Sequence, residues 1–246
     1  MELSSILILD LDGTMIGDIS PQICEYEINN KLSRAHVMKD LSAGLLRPYL
    51  KKFLTYMKTN HKAEFFVYTA STKDWAYQIV EIIEKVLGIE FNRPLFTRAD
   101  IPTSGYKSIK HIFPVLKQSL VEKGYSSSID YLDVKRNCIF IDNNAVLEKE
   151  EAHVLMKCPT YEYISPLDVL RNTSDVNIPK SIDILRRHGY VSARFINRDL
   201  LKLRTEYYKC LSRKLATLTI NHKIAKADKY FEDCLKLIQD IHDTFN

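Results

Sequence analysis

Long apolar runs are missing from this 246-residue chain. The run nearest the N-terminus, residues 6–9, stops at Asp10, far short of the roughly eighteen residues a membrane helix requires, so no membrane span is expected. The same region has neither a basic flank nor a small-residue cleavage site, and no secretory signal is read there. Cysteine is scarce: Cys24, Cys138, Cys158, Cys210 and Cys234 are odd in number and form no CxxC pair. That excludes a disulfide scaffold and a zinc ribbon, and it predicts free thiols in a reducing intracellular compartment, cytoplasm or nucleus. Seven glycines and eight prolines are too few for a collagen-like or linker-dominated chain. Internal repeats and low-complexity tracts are absent too.

What is present is ordinary for a globular protein. With 46% hydrophobic, 27% charged and 10% aromatic residues, the chain can build a sizeable core, as one large domain or a medium one with an appendage. The net charge of +4 is unevenly spread. Residues 176–246 hold 14 basic and 8 acidic side chains, the rest 21 and 23, and residues 186–229 reach 12 against 3. Such a basic end points to an acidic partner (nucleic acid, a phosphoprotein or an anionic surface) or to a solvated helix face.

Apolar runs at 3–9 (LSSILIL), 64–68 (EFFVY) and 137–141 (NCIFI) read as buried strands. Amphipathic stretches at 48–59, 74–87 and 108–123 separate them and read as helices. Strand and helix in alternation predict an α/β fold, a parallel sheet covered on both faces, with its ligand crevice beyond the carboxyl ends of the strands. After about residue 175 the pattern changes. Leu200, Leu203, Tyr207, Leu211, Leu215 and Leu218 recur at steps of three and four, and a second stripe runs from Ile220 through Phe231, Cys234 and Ile238 to Phe245. Both fit amphipathic helices that pack on the core or pair two chains as a homodimer, with Asn221 as a break between them.

The strand ends carry the chemistry. Asp10 and Asp12, in DLDGT, fall on one side of an extended chain, and two carboxylates so close repel unless a cation or proton lies between them. Thr69 follows the second strand in YTAST, and Asp142 and Asn143 follow the third in IDNN. Lys107, in SGYKSIK, precedes a helix, with Lys110 as a rival. A hydroxyl, an ammonium and several oxygen donors around paired carboxylates suit phosphoryl transfer with a hard cation; no His/Cys cluster favours zinc.

These motifs, in this order, resemble the four motifs of the haloacid dehalogenase superfamily. LILDLDGT, LLRPYLKKFLTYM running into FFVYTAST, and CIFIDNN resemble more narrowly its branch of RNA polymerase II C-terminal-domain phosphatases and NLI-interacting-factor-like proteins. Trp75, soon after TAS, fits the aromatic that this branch carries there, and the chain also resembles divergent members from large DNA viruses, which would place it in a host cell or virion. The resemblance covers about residues 3–172. It implies a Rossmann-like phosphatase domain over 1–175 with an insertion at 15–46 near the site, followed by a basic C-terminal helical extension over 176–246. It implies Asp10 as nucleophile and Asp12 as acid and base. It implies Thr69, Ala70 and Lys107 as phosphate-binding residues, and Mg²⁺ on Asp10, the Asp12 backbone carbonyl and Asn143, with Asp142 nearby or acting through water.

Two departures stand out. Asn144-Ala145 follow the fourth motif where the family often has Ser-Pro, and residues 31–46 look helical where the branch has a hairpin-like groove wall. The expected activity is dephosphorylation of phosphoserine or phosphothreonine in a protein. A phosphatase of nucleic-acid ends or nucleotides is the alternative that the basic end raises, and an inactive scaffold or virion protein is a third.

Overall fold

A computed structural model describes residues 5–17, 33–144, 147–163 and 228–245, the side chains of the last stretch as far as Asp240, together with Lys180, Asp183, Ile184 and Arg187. The stripe over 200–218, the break at Asn221 and residues 18–32 of the 15–46 insertion lie outside these residues. Four parallel strands form one sheet in the order β2-β1-β3-β4. They are β1 (Ile6–Leu9), β2 (Glu64–Val67), β3 (Cys138–Asp142) and β4 (Leu155–Lys157). The register aligns Leu9 with Val67 on one side and with Ile141 on the other, so β1 and β2 end level and β3 runs one residue further. Asp142 is thus the last residue of β3, one place earlier in the turn than the sequence pattern suggested.

Alternation sorts the strand residues between two cores. Leu7, Leu9, Phe65, Val67 and Ile141 face the first, with α1 (Arg34–Asp40), α2 (Leu50–His61) and α3 (Lys73–Leu87). Ile6, Ile8, Phe66, Tyr68 and Phe140 face the second, with α4 (Ile109–Glu122) and the short α5 (Tyr131–Arg136). Helix ends are secured locally. Gly88, at φ +68, closes α3, where its N–H reaches the Glu84 carbonyl at 2.7 Å. At the start of α4, buried Glu151 takes the otherwise unpartnered N–H groups of Ile109 and Lys110 at 2.8 and 2.7 Å.

The last element, α6 (Tyr230–Phe245), packs on α2 within the first core. Phe231, Cys234 and Leu235 are buried there, and the Phe231 ring lies 5.1 Å from that of Phe53. The described part of the second C-terminal stripe therefore docks within its own chain, in the same core as the catalytic sheet.

Beneath the sheet, Glu64 accepts hydrogen bonds from Lys123, Asn92 and Tyr125 at 2.7, 3.0 and 3.1 Å. Burial raises its pKa, but the Lys123 and Asn92 hydrogen bonds and the charges of Lys123 and Lys58 outweigh it, holding the carboxyl below its ordinary value. A depressed acid stabilises the folded state above its unfolded pKa and loses that contribution as pH falls through the folded value. Glu64→Gln is therefore expected to lower the melting temperature at pH 7 and to shrink the wild-type excess as melts are taken from pH 5 downward. An unchanged gap between the two proteins across that range would show that Glu64 is not the group responsible.

Candidate active site

Each strand delivers one segment to the same end of the sheet. After β1, the Asp10 N–H still pairs with the Ile141 carbonyl at 2.9 Å, and the chain then turns, with the N–H groups of Thr14, Met15 and Ile16 gathered on the Leu11 carbonyl. Gly13 makes this turn possible twice over. Its φ is +77°, and a Cβ there would stand 2.6 Å from Asn143 Nδ2, so a side chain would both strain the turn and part the first motif from the fourth. After β2, the Thr69 N–H bonds the Phe96 carbonyl at 2.9 Å.

A cleft of about 500 Å³ opens over these ends, lined by Asp10, Asp12, Thr69, Ala70, Lys107, Asp142 and Asn143. The seven residues expected from the sequence thus share one site. Lys107 is buried at its floor. Its ammonium donates to Asp10 Oδ1 at 2.8 Å, to Asp142 Oδ2 at 2.6 Å and to the Tyr68 carbonyl at 2.7 Å, which uses all three protons. Lys110 is exposed and lines a different cavity, with Glu148 and Glu151, so the cleft holds Lys107 and not its rival. Two carboxylates on one cation leave a negative surplus. Burial pushes the Asp10 carboxyl above its ordinary range, Lys107 pulls it down and Asp142 pushes it up; the net direction is upward.

Thr14 joins the first and fourth motifs from behind. Its hydroxyl accepts from the Asn143 N–H at 3.0 Å and lies 3.1 Å from Asn143 Oδ1 and 3.4 Å from Asp10 Oδ2, as a donor to one or the other. Asn143 Nδ2 donates to Thr160 Oγ1 at 3.0 Å. Across the cleft the Ser71 hydroxyl makes a short hydrogen bond to Asp12 Oδ2.

Mg²⁺ is the ion that the resemblance implies, and the donor set fits it. Asp10, Asp12, Asp142 and Asn143 bring oxygen donors to the cleft beside the Lys107 ammonium, and a hard cation that keeps several waters needs only one or two carboxylates. Among the described residues no group of three or more His, Cys, Asp or Glu side chains is placed to hold a metal ion by itself.

The model of the NLI interacting factor-like phosphatases matches residues 5–186. This chain belongs to that family. It is accordingly a member of the haloacid dehalogenase superfamily, in the branch of C-terminal-domain phosphatases. Among solved structures, Fcp1, an essential RNA polymerase II CTD phosphatase, is 19% identical with a TM-score of 0.39, the match covering 89% of this chain and 66% of that one. Fission yeast Fcp1-R271A bound to beryllium fluoride is 17% identical with a TM-score of 0.40, at 89% and 67% coverage. The chain thus spans about two-thirds of those chains. No curated protein matches.

Within this phosphatase-family site, three residues escaped the sequence reading. Ser71 was legible only as part of the TAS triplet, not as the partner of Asp12. Arg98 lines the cleft from the turn after Phe96, its Nε fixed on the Ala70 carbonyl at 2.8 Å; nothing in the local sequence marks it. Thr14 reads as the end of DLDGT, and its link to Asn143 is tertiary. Trp75 stands apart from the cleft, beside Val37 and Ile79 in a groove between α1 and α3.

Arg47, ahead of α2, does not line the cleft but lies behind the loop that follows β1. It is 1% exposed, donates to the Thr14 carbonyl at 3.4 Å, and pairs with both oxygens of Asp228.

Proposed function

We propose that the chain is a Mg²⁺-dependent phosphatase that hydrolyses phosphoserine and phosphothreonine in proteins through an aspartyl-phosphate on Asp10. The observation that carries this reading is the Lys107 ammonium bound at once to Asp10 and Asp142, beside Asp12 and Thr69 in one cleft. Such an arrangement holds a carboxylate oriented for attack while the ammonium balances its charge.

In the first step an Asp10 oxygen attacks phosphorus, the ester P–O bond breaks, and Asp12 gives its proton to the leaving alkoxide. In the second, Asp12 takes a proton from water, the hydroxide attacks phosphorus, and the bond to Asp10 breaks to release phosphate. The Ser71 hydroxyl holds Asp12 in place for both. Thr69, the Ala70 backbone and Lys107 bind the phosphoryl oxygens. Asp10, the Asp12 carbonyl and Asn143, with Asp142 nearby or acting through water, would hold Mg²⁺, which would supply shielding between carboxylate and phosphate and stabilisation of charge on the group in transfer. Arg98 brings a second cation to the rim, anchored through Nε so that its outer nitrogens are free to meet an anion. The rim residues Ile101, Gly105 and Tyr106 offer backbone and apolar surface rather than a row of basic groups, which favours a peptide over a phosphodiester strand.

A panel of phosphoserine and phosphothreonine peptides against 3′- and 5′-phosphorylated oligonucleotides tests this. Peptides are expected to turn over with Mg²⁺, to stop with EDTA and to resume when Mg²⁺ is restored. Oligonucleotides hydrolysed tenfold faster would transfer the site to nucleic-acid ends, and no turnover of either class would return it to a scaffold.

A further inference from the structure

Asp228, two residues ahead of α6, supplies a carboxylate to the rear of the loop after β1. We propose that Asp228 is a positioning residue for phosphoryl transfer, acting through Arg47 on the loop that carries Asp10, Asp12 and Thr14. The inference rests on the reading of Asp10 as nucleophile and extends it to a part of the chain that no motif of the family reaches.

The contacts form a single line. Asp228 Oδ1 and Oδ2 accept from Arg47 Nε and Nη2 at 3.0 and 2.7 Å, the paired geometry that a planar guanidinium and a carboxylate favour. The opposite side of the same guanidinium, Nη1, donates to the Thr14 carbonyl. The Thr14 hydroxyl in turn lies within reach of both Asp10 Oδ2 and Asn143 Oδ1. Aromatic rings close the remaining faces: Tyr230, Tyr161 and Phe231, with centroids 4.7, 5.5 and 5.7 Å from the guanidinium carbon. Tyr161 is itself tied to the loop, its N–H on the Gly13 carbonyl at 2.8 Å. Asp228 Oδ1 also receives the Tyr230 N–H at 3.2 Å, so one side chain fixes both the start of α6 and the posture of Arg47.

Arginine cannot shed its proton, and a buried guanidinium without an anion is strongly unfavourable. Losing the Asp228 charge therefore drives Arg47 outward or draws water in. Either change releases the Thr14 carbonyl and slackens the loop. Displacements of about 1 Å at a transferring group lower rates by about a hundredfold.

The test separates positioning from mere stability. Asp228→Asn is expected to lower kcat for p-nitrophenyl phosphate about 10- to 100-fold with KM within about twofold, in protein that still melts cooperatively. Replacing the pair together, Arg47→Met with Asp228→Leu, swaps buried charges for apolar groups, a change that is often neutral or stabilising. The double variant is expected to recover the wild-type melting temperature while kcat stays low, because no donor then reaches the Thr14 carbonyl. If kcat returns to wild type with the melting temperature, or if Asp228→Asn melts lower yet keeps full kcat, Asp228 is structural only and the proposal is overturned. Should Asp228→Asn fail to fold, the double variant alone decides. Wild-type turnover that survives Asp10→Asn would instead sink the nucleophile assignment, so the two failures are distinguishable.

Discussion

Asp10→Asn is expected to abolish turnover, by at least about a thousandfold, and at the same time to leave the protein as stable as wild type or more so. The first effect follows from the role proposed for Asp10, because an amide of the same shape would replace the attacking oxygen. The second follows from charge. Lys107 faces two buried carboxylates, and burial places the Asp10 carboxyl above its ordinary range. For an acid whose folded pKa is raised, the unfolded chain gives up its proton first as pH rises, so stability falls across the interval between the two values and stays lower above it. The charged form of Asp10 is therefore the less favourable one in metal-free protein, and the amide removes that charge. Thermal melts in EDTA and in Mg²⁺ check both halves. Wild type is expected to gain from Mg²⁺ by mass action and the variant to gain less. Persisting turnover would require another nucleophile, and a clear drop in melting temperature would refute the charge accounting.

Phe231→Ala is expected to be the most damaging substitution outside the cleft. The ring is fully buried between α6 and α2, against Phe53 and beside the Arg47 guanidinium. Truncating a buried phenylalanine costs about 3–5 kcal/mol, a large share of the about 5–15 kcal/mol that holds a domain together. For a chain of this size the melting temperature falls by about 6–20 °C. Leu237, on the same helix but 54% exposed, is the control: its alanine variant is expected to shift stability by no more than about 0.5 kcal/mol. Calorimetry on the two variants distinguishes a helix built into the core from one merely lying on it, and equal small shifts would favour the latter.

The cleft was largely legible in the sequence because most of its residues directly follow the apolar runs that become strands. Asp10 after LSSILIL, Thr69 after EFFVY and Asp142 within IDNN need no long-range knowledge, since a parallel sheet brings strand ends together by construction. Lys107 was separable from Lys110 only in three dimensions, where burial and three acceptors select it. Strand β4 was missed because Leu155–Lys157 is three residues long and ends in lysine, too short for any period to show. Asp228 was invisible for a different reason. In sequence it is one of 3 acidic residues in a basic stretch, and nothing local says that it pairs with an arginine 181 positions earlier. The helix that carries it was legible as an amphipathic stripe, but the choice between a second chain and its own core depended on which apolar surface lay open, and periodicity does not report that.

The contacts that complete the cleft join residues 97, 129 and 181 positions apart: Lys107 to Asp10, Thr14 to Asn143 and Arg47 to Asp228. Each closes a long loop, whose entropy is lost before the contact gives anything back. No short contiguous fragment contains the centre, and helices and individual turns can form well before it exists. Assembly of the chemistry is thus a late event of folding, tied to the arrival of the whole topology rather than to any local nucleus.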